Sequence, residues 1–267
     1  AQGAFSGRTN LKQVSIPDSV TSIDSSAFEY CKNISRIVLP KNLQTIGCFA
    51  FEGCTNLEYI NIPNNVTLID AYAFSYCSNL SYITIPDSVM TVGFGAFDYC
   101  TNLKNVSIGK GVKKFGVSPF DDTNVIPDGV FFNCNNLSYI SVDAENKVYC
   151  SLEGNLFNKN KTELLQYARG RLNTEYSIPA SVIKIHSSAF NNSTNLRNIT
   201  IPNGVKAIGS FSGCVNLESI DIPDSVTSVN SNLAQSFYNC KNLTDIKIGN
   251  GIKEISYQMF KSCSNLK

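Results

Sequence analysis

The stretch CTNLEYINIP at residues 54–63 decides the fold of this chain, because near-copies of it return along the sequence. CSNLSYITIP follows at 77–86 and CTNLKNVSIG at 100–109. The apolar residues keep their places between the copies, whereas the polar residues change. A segment that recurs with a fixed apolar pattern is typical of one structural unit stacked many times. We therefore expect a repeat protein.

The repeat has a period of 23 residues. Each copy carries an Asn followed by Leu or, once, Ile, and that second residue stands at Leu11, Ile34, Leu57, Leu80, Leu103, Leu137, Leu196, Leu217, Leu243 and Leu266. The unit is N-L-x-x-I-x-I-P-x-x-V-x-x-I-x-x-x-A-F-x-x-C-x. The distance between successive copies differs from 23 at four places. At three of them one loop before the Phe has a different length, and the longest such loop covers 116–130. The fourth comes from an insert at 143–176.

The residue pattern of each unit predicts two short extended segments joined by turns. In the first segment Val14 and Ile16 alternate with Gln13 and Ser15, which indicates a half-buried strand. The Pro that follows ends the strand because it lacks an N–H group. V-x-x-I predicts a second extended segment, and A-F-x-x-C predicts either a tight turn or one helical turn.

Stacking of these units predicts two ladders of identical side chains. Coils about 4.8 Å apart would bring the Phe of every unit into one aromatic spine. Its members are Phe5, Phe28, Phe51, Phe74, Phe97, Phe131, Phe190, Phe211, Phe237 and Phe260. The Asn of every unit would form a second ladder, in which its amide caps backbone groups of its own turn and of the neighbouring turn.

The insert at 143–176 contains runs rich in Tyr, Leu and Phe, which the turn-like segments EGN and NKNK separate. This pattern predicts a β-hairpin or a small meander that projects from the stack.

Composition and charge exclude several classes of partner. The chain has 267 residues, of which 43% are hydrophobic, and the large apolar residues are spread evenly, as a solenoid requires. Its 22 basic and 21 acidic residues are interspersed and leave a net charge of +1. We therefore expect no nucleic-acid partner. No apolar run approaches the roughly 20 residues of a membrane span, so we expect no membrane insertion by this segment.

The repeat pattern resembles the BspA-like leucine-rich repeats of bacterial and protist surface proteins. The resemblance covers nearly the whole chain, and SLEGNLFNKNKTELLQY resembles an insert found between such repeats in bacterial members. It implies a mainly β repeat solenoid, a right-handed leucine-rich-repeat superhelix of the α/β type. Short strands would line its concave face, with few short helical turns. It further implies a secreted or cell-surface location, a role in adhesion or host-protein binding, and no catalytic residues.

The domain organisation follows from the period. We expect one solenoid domain over 1–267, with about ten coils, the insert and the long loop. The chain begins partway through a unit and stops at CSNLK, so we expect an array truncated at both ends. No signal peptide opens the sequence, and we expect a signal peptide and an anchor to lie outside it.

Eight of the ten cysteines occupy the repeat slot, at 31, 54, 77, 100, 134, 214, 240 and 263. A metal site would need converging ligands, but these cysteines are 23 or more residues apart and the chain has one His. A disulfide ladder would need Cβ atoms about 3.5–4.5 Å apart, and stacked side chains point the same way. We expect buried reduced thiols. Cys48 and Cys150 lie off the pattern and are candidates for reactivity. Reduced cysteines at a cell surface suit an anaerobic habitat.

Other reactive groups are few. His186 lies at a turn, where a solvated residue is a simpler interpretation than a general base. Asp121 and Asp122 share the long loop, and two adjacent carboxylates without further ligands indicate a solvated loop. Asn-x-Ser/Thr triplets, as at Asn33 and Asn65, follow from the repeat template. We expect no catalytic residue, no metal and no cofactor.

Function is therefore expected on the exposed side of the first strands, whose outward side chains form parallel columns. Arg36, Val38, Tyr59 and Tyr82 are expected to follow one another down one column at consecutive coils, with Asn61 and Thr84 beside them. Tyr and Arg are enriched at protein interfaces. The hypothesis is a protein-binding patch made of these six residues; the alternative is solvated decoration that shields the sheet.

Two functions remain open. One is a non-enzymatic protein-binding or adhesion module with a host or matrix protein as partner. The other is a structural spacer that presents the insert or a neighbouring domain. The sequence leaves the oligomeric state open.

Overall fold

The computed structural model describes residues 2–117, 129–229 and 236–267. The chain divides into two compact units, Ala1–Ser151 and Leu152–Lys267. Each unit is a parallel β-solenoid in which successive coils pair strand to strand, and none of the described residues is helical. The predicted mainly β solenoid is confirmed. A single domain over 1–267 stays a prediction.

The first unit contains two columns of strands. The first extended segment of each coil gives β2 (Arg36–Ile37), β4 (Tyr59–Ile60), β6 (Tyr82–Ile85), β8 (Asn105–Ile108) and β10 (Tyr139–Val142). The V-x-x-I segments give β1 (Ser22–Ile23), β3 (Thr45–Ile46), β5 (Leu68–Ile69), β7 (Thr91–Gly93) and β9 (Lys114–Val117). β11 (Tyr149–Leu152) is the next strand along the chain. Partners lie one repeat apart, as in Ile83 and Val106, so identical slots of the unit stack on each other.

The second unit repeats this arrangement. Its first column is β14 (Glu175–Ser177), β16 (Asn198–Thr200), β18 (Ser219–Ile222) and β20 (Asp245–Ile248). Its other sheet joins β12 (Asn155–Asn158), β13 (Glu163–Gln166), β15 (Lys184–Ile185), β17 (Ala207–Ile208) and β19 (Ser228–Val229) in that order. All of these pairs are parallel except β12 with β13.

The A-F-x-x-C segment is a series of tight turns, so the helical alternative is wrong. Its backbone N–H groups alternate between two kinds of partner. Cys31 donates to the Phe28 carbonyl of the same turn at 3.1 Å, whereas Phe28 donates to the Ala50 carbonyl of the next coil at 2.8 Å. A helix would direct every N–H along its own axis. Ser26 and Tyr30 have φ of 57° and 55°, which also interrupts any helix.

The aromatic spine is confirmed and forms the core of each unit. From Phe5 to Phe131, neighbouring rings stack with centroids 5.1–5.7 Å apart, and from Phe190 to Phe260 with centroids 5.2–5.4 Å apart. The Asn ladder also forms. Asn33 donates to the Thr9 carbonyl of the preceding coil at 2.6 Å, and Asn56 donates to the Asn33 side-chain oxygen at 3.3 Å.

The insert is built into the coils, so the prediction that it projects from the stack is wrong. Its first residues complete a coil: Asn146 takes the slot of the repeat Val and is fully buried, and the Tyr149 ring packs edge-on against Phe115. Its last residues supply half of another coil, because β13 pairs with β15 and the Tyr167 ring stacks on Phe190 at 5.3 Å. The predicted long loop at 116–130 lies mostly outside the described residues, which stop at 117 and resume at 129.

Candidate functional site

The exposed side of β2, β4 and β6, together with the residues that follow these strands, is called the strand face. Arg36 pairs with Tyr59 across β2 and β4. The Tyr59 and Tyr82 rings lie 5.1 Å apart with an angle of 31° between their planes. The structure therefore brings Arg36, Tyr59 and Tyr82 into one column, because β2 pairs with β4 in register and the Tyr59 ring contacts the Tyr82 ring of the next coil.

Val38 lies in the neighbouring column, so its predicted place beneath Arg36 is wrong. It pairs with Ser15 of the preceding coil and has 81% of its surface exposed. Side chains two residues apart share a face of a strand but belong to adjacent columns. Asn61 and Thr84 are both exposed on the same face. A cavity of about 640 Å³ is lined by Arg36, Val38 and residues 13–16.

The strand face can form hydrogen bonds, ion pairs and broad aromatic contacts. Its column of large side chains continues past Asn105, which pairs with Tyr82, to Tyr139, which is 52% exposed. Among the described residues, there is no group of three or more His, Cys, Asp or Glu side chains that could hold a metal ion. That the six predicted residues bind a partner stays a prediction.

Sequence reasoning missed a second aromatic surface, on the A-F-x-x-C turns of the first unit. Tyr30, Tyr76 and Tyr99 stand just before the Cys of their coils and are all exposed. The Tyr76 and Tyr99 rings stack with centroids 4.5 Å apart. The repeated F-x-Y-C in FEYC, FSYC and FDYC was the signal that could have found it.

The ten cysteines, which all lie in the described ranges, form no disulfide, and seven of the eight in the repeat slot are buried. Each thiol of this slot donates to the carbonyl of a spine Phe in the preceding coil, as Cys77 does to Phe51 at 3.2 Å. Burial raises the pKa of the Cys77 and Cys100 thiols well above the ordinary value. The prediction that these thiols act as small buried groups is confirmed.

Cys48 is half-buried, and we expect it to react slowly. Burial first, and then the carboxylates of Asp70 and Glu52, raise the pKa of its thiol to about 11. Because the thiolate is the nucleophile, iodoacetamide at pH 8 should modify Cys48 about 100-fold more slowly than it does in the unfolded chain. Mass spectrometry of the Cys48 peptide should show a rate that rises up to about pH 11. A plateau below pH 9 would contradict this pKa.

His186 is not a solvated turn residue. It is only 5% exposed, and its Nε2 lies 2.7 Å from Oε2 of Glu163 in the same sheet. The side chain thus bridges neighbouring coils of the second unit. Asp121 and Asp122 lie outside the described residues. The described ranges include no helix long and apolar enough to cross a membrane.

A leucine-rich-repeat solenoid is defined by its coil length, its column of short strands and its spine of repeated apolar side chains. This chain has all three features. The model of the BspA type leucine rich repeat region matches residues 1–125 and 166–267 in six copies. The chain therefore belongs to this family. No curated protein sequence matches it.

Solved structures of bacterial proteins share the fold. A leucine-rich repeat protein from Eubacterium ventriosum ATCC 27560 is 26% identical with a TM-score of 0.78, over 97% of this chain and 66% of that one. This chain thus spans just under two thirds of that protein. A leucine rich cell surface protein from Faecalibacterium prausnitzii A2-165 is 26% identical with a TM-score of 0.63, over 96% and 78% of the two chains. A leucine-rich repeat protein from Bacteroides ovatus ATCC 8483 is 25% identical with a TM-score of 0.60, over 96% and 74%.

Proposed function

We propose that this chain is a non-enzymatic binding or adhesion module that holds a host or matrix protein on its strand face. The observation that carries the proposal is the column formed by Arg36, Tyr59 and Tyr82. Tyr82 is 45% exposed and Tyr59 is half-buried. Large aromatic side chains beside an Arg are the composition of interface hot spots, since they combine contact area with polar groups. Three successive coils supply them from rigid paired strands, so little conformational entropy is lost on binding.

An extracellular or cell-surface location forms part of the proposal. It is supported by membership of the BspA type family and by the similar cell surface protein from Faecalibacterium prausnitzii. Ten cysteines outside disulfides are compatible with that location in an anaerobic habitat, where thiols persist without an oxidant.

A structural spacer is the second candidate. It is favoured by the small polar residues that occupy much of the first strands, such as Ser107 and Thr200. The spacer would present a neighbouring domain rather than the insert, because the insert is part of the coils and supplies core residues such as Tyr167.

Binding to a panel of extracellular-matrix and serum proteins separates the two candidates. We expect surface plasmon resonance to show saturable binding that the double variant Tyr59→Ala/Tyr82→Ala weakens about 30-fold or more, because two hot-spot rings contribute about 1–2 kcal/mol each. The matched control is Tyr257→Ala, which removes an exposed ring from the second unit. Equal affinity in both variants would contradict the strand-face proposal, and no binding to any panel member would favour the spacer.

A further inference from the structure

The aromatic surface on the turns of the first unit is built from a single slot of the repeat, the residue before the Cys. In ten coils this slot always has positive φ. Its occupants are Gly7, Tyr30, Gly53, Tyr76, Tyr99, Asn133, Asn192, Gly213, Asn239 and Ser262. Gly and Asn are the residues that tolerate this left-handed conformation, and bulky side chains there are strained. Six coils accordingly use Gly or Asn, whereas three of four successive coils in the first unit use Tyr.

The core does not require these tyrosine side chains. Tyr76 and Tyr99 are 45% and 38% exposed, and they stack on each other at the surface rather than against the spine. The Tyr30 ring lies over Gly53, where a Cβ atom would collide with it. Strained residues that leave large side chains exposed are a recognised sign of a functional surface. The three rings therefore point to a ligand.

The charges around the rings indicate what that ligand is. Glu29 and Glu52 occupy the slot before Tyr30 and Gly53, and the structure shows no ion pair for either among the described residues. Burial raises the pKa of Glu52, and the neighbouring carboxylates of Glu29 and Asp98 raise it further. Glu52 lies between the coils of Tyr30 and Tyr76, because the Tyr30 N–H donates to the Glu52 carbonyl at 2.6 Å and the N–H of the next residue, Gly53, donates to the carbonyl of Ser75 at 2.8 Å. Negative charge gathered beside aromatic faces is complementary to a cation.

We propose that Tyr76, Tyr99 and Glu52 form a docking surface for an arginine-rich segment of a partner protein. A guanidinium group can stack on a Tyr ring and form a hydrogen-bonded pair with a carboxylate at the same time. The surface lies on the turns and uses none of the strand-face residues. It is therefore a second binding site, independent of the one proposed above.

The test uses fluorescein-labelled hexa-arginine and the full chain, with binding followed by fluorescence anisotropy at about 0.15 M salt. We expect hexa-arginine to bind more tightly than hexa-lysine, because Arg stacks better on aromatic rings. The double variant Tyr76→Asn/Tyr99→Asn should bind hexa-arginine about tenfold more weakly. It should melt at the same or a higher temperature, because Asn relieves the strain of the left-handed conformation. Glu52→Gln should also weaken binding about tenfold.

Tyr139→Asn, which changes an exposed Tyr on a strand of the same unit, is the matched control and should leave binding unchanged. The tyrosine substitutions do not alter net charge, so a purely electrostatic attraction would survive in the double variant. Unchanged affinity in that variant, or no binding of hexa-arginine to the wild-type protein, would overturn the proposal. Unchanged binding of hexa-arginine by Glu52→Gln would also overturn it, because the carboxylate would then form no pair with the guanidinium groups. Tyr59→Ala/Tyr82→Ala should bind hexa-arginine normally, which separates this site from the strand face.

Discussion

Phe74→Ala is expected to lower the free energy of unfolding by about 3–5 kcal/mol. The Phe74 ring is fully buried between Phe51 at 5.3 Å and Phe97 at 5.4 Å. Its loss removes both stacking contacts and opens a cavity in the middle of a rigid stack, which can collapse little because the strands on either side are paired. The shift of the urea midpoint, followed by circular dichroism, measures the effect.

Phe5→Ala is the control for the spine. Phe5 has one ring neighbour, Phe28, and is 39% exposed, so the same substitution should cost about 1–2 kcal/mol. Equal losses from Phe5→Ala and Phe74→Ala would contradict the view that stacking inside the array, rather than local structure of one coil, stabilises the unit.

Asn146→Leu is expected to destabilise the first unit by about 3 kcal/mol or more. The Asn146 amide nitrogen donates to the carbonyls of Gly109 and Val112 at 3.0 and 3.1 Å. Its side-chain oxygen accepts the N–H groups of Val148 and Tyr149 at 2.9 and 2.8 Å. The fully buried side chain thus uses its whole hydrogen-bonding capacity, and Leu would leave four backbone groups without partners. The urea midpoint is again the measurement.

Asn65→Leu is the control, because Asn65 makes one hydrogen bond to the Lys41 carbonyl at an exposed site. It should cost about 1 kcal/mol or less. If Asn146→Leu lowered the free energy of unfolding no more than Asn65→Leu does, the expectation would be contradicted, because water would then replace the buried hydrogen bonds.

The regular coils could be predicted from sequence because one pattern is imposed many times. Alternation at positions such as Val14 and Ile16 indicates a strand weakly, but the same alternation at nearly every period leaves no other register. The spine and the Asn ladder follow from the same argument, since identical slots must stack on one another when strands pair in register. The turn geometry did not follow, because the pattern fixes which residues are buried and not how each N–H is satisfied.

The place of the insert within the coils was not predicted, because its residues differ from those of the repeat pattern at the buried positions. Asp143 stands where the repeat has Pro, Asn146 where it has Val and Tyr149 where it has Ile. Asn is a turn residue by propensity, and only the four backbone groups around it make it a core residue. His186 was misassigned for a similar reason, since its partner Glu163 lies 23 residues earlier, inside the insert.

The candidate site was likewise predictable from sequence only in part. Arg36, Tyr59 and Tyr82 could be placed side by side from the period alone. Val38 was assigned to the wrong column, although the two-residue spacing from Arg36 was sufficient to separate them. The repeated F-x-Y-C could have located the tyrosines of the turns, but the positive φ that makes them unusual is visible only in the structure.

The central claim is that exposed side chains of the strand face, and not the repeat fold itself, bind a protein partner. Hydroxyl-radical footprinting of the complex with a partner found in the binding panel tests it most directly. We predict that Tyr59 and Tyr82 become protected from oxidation while Tyr257, which is 74% exposed in the second unit, stays reactive. Unchanged oxidation of Tyr59 and Tyr82 in a saturated complex would contradict the claim.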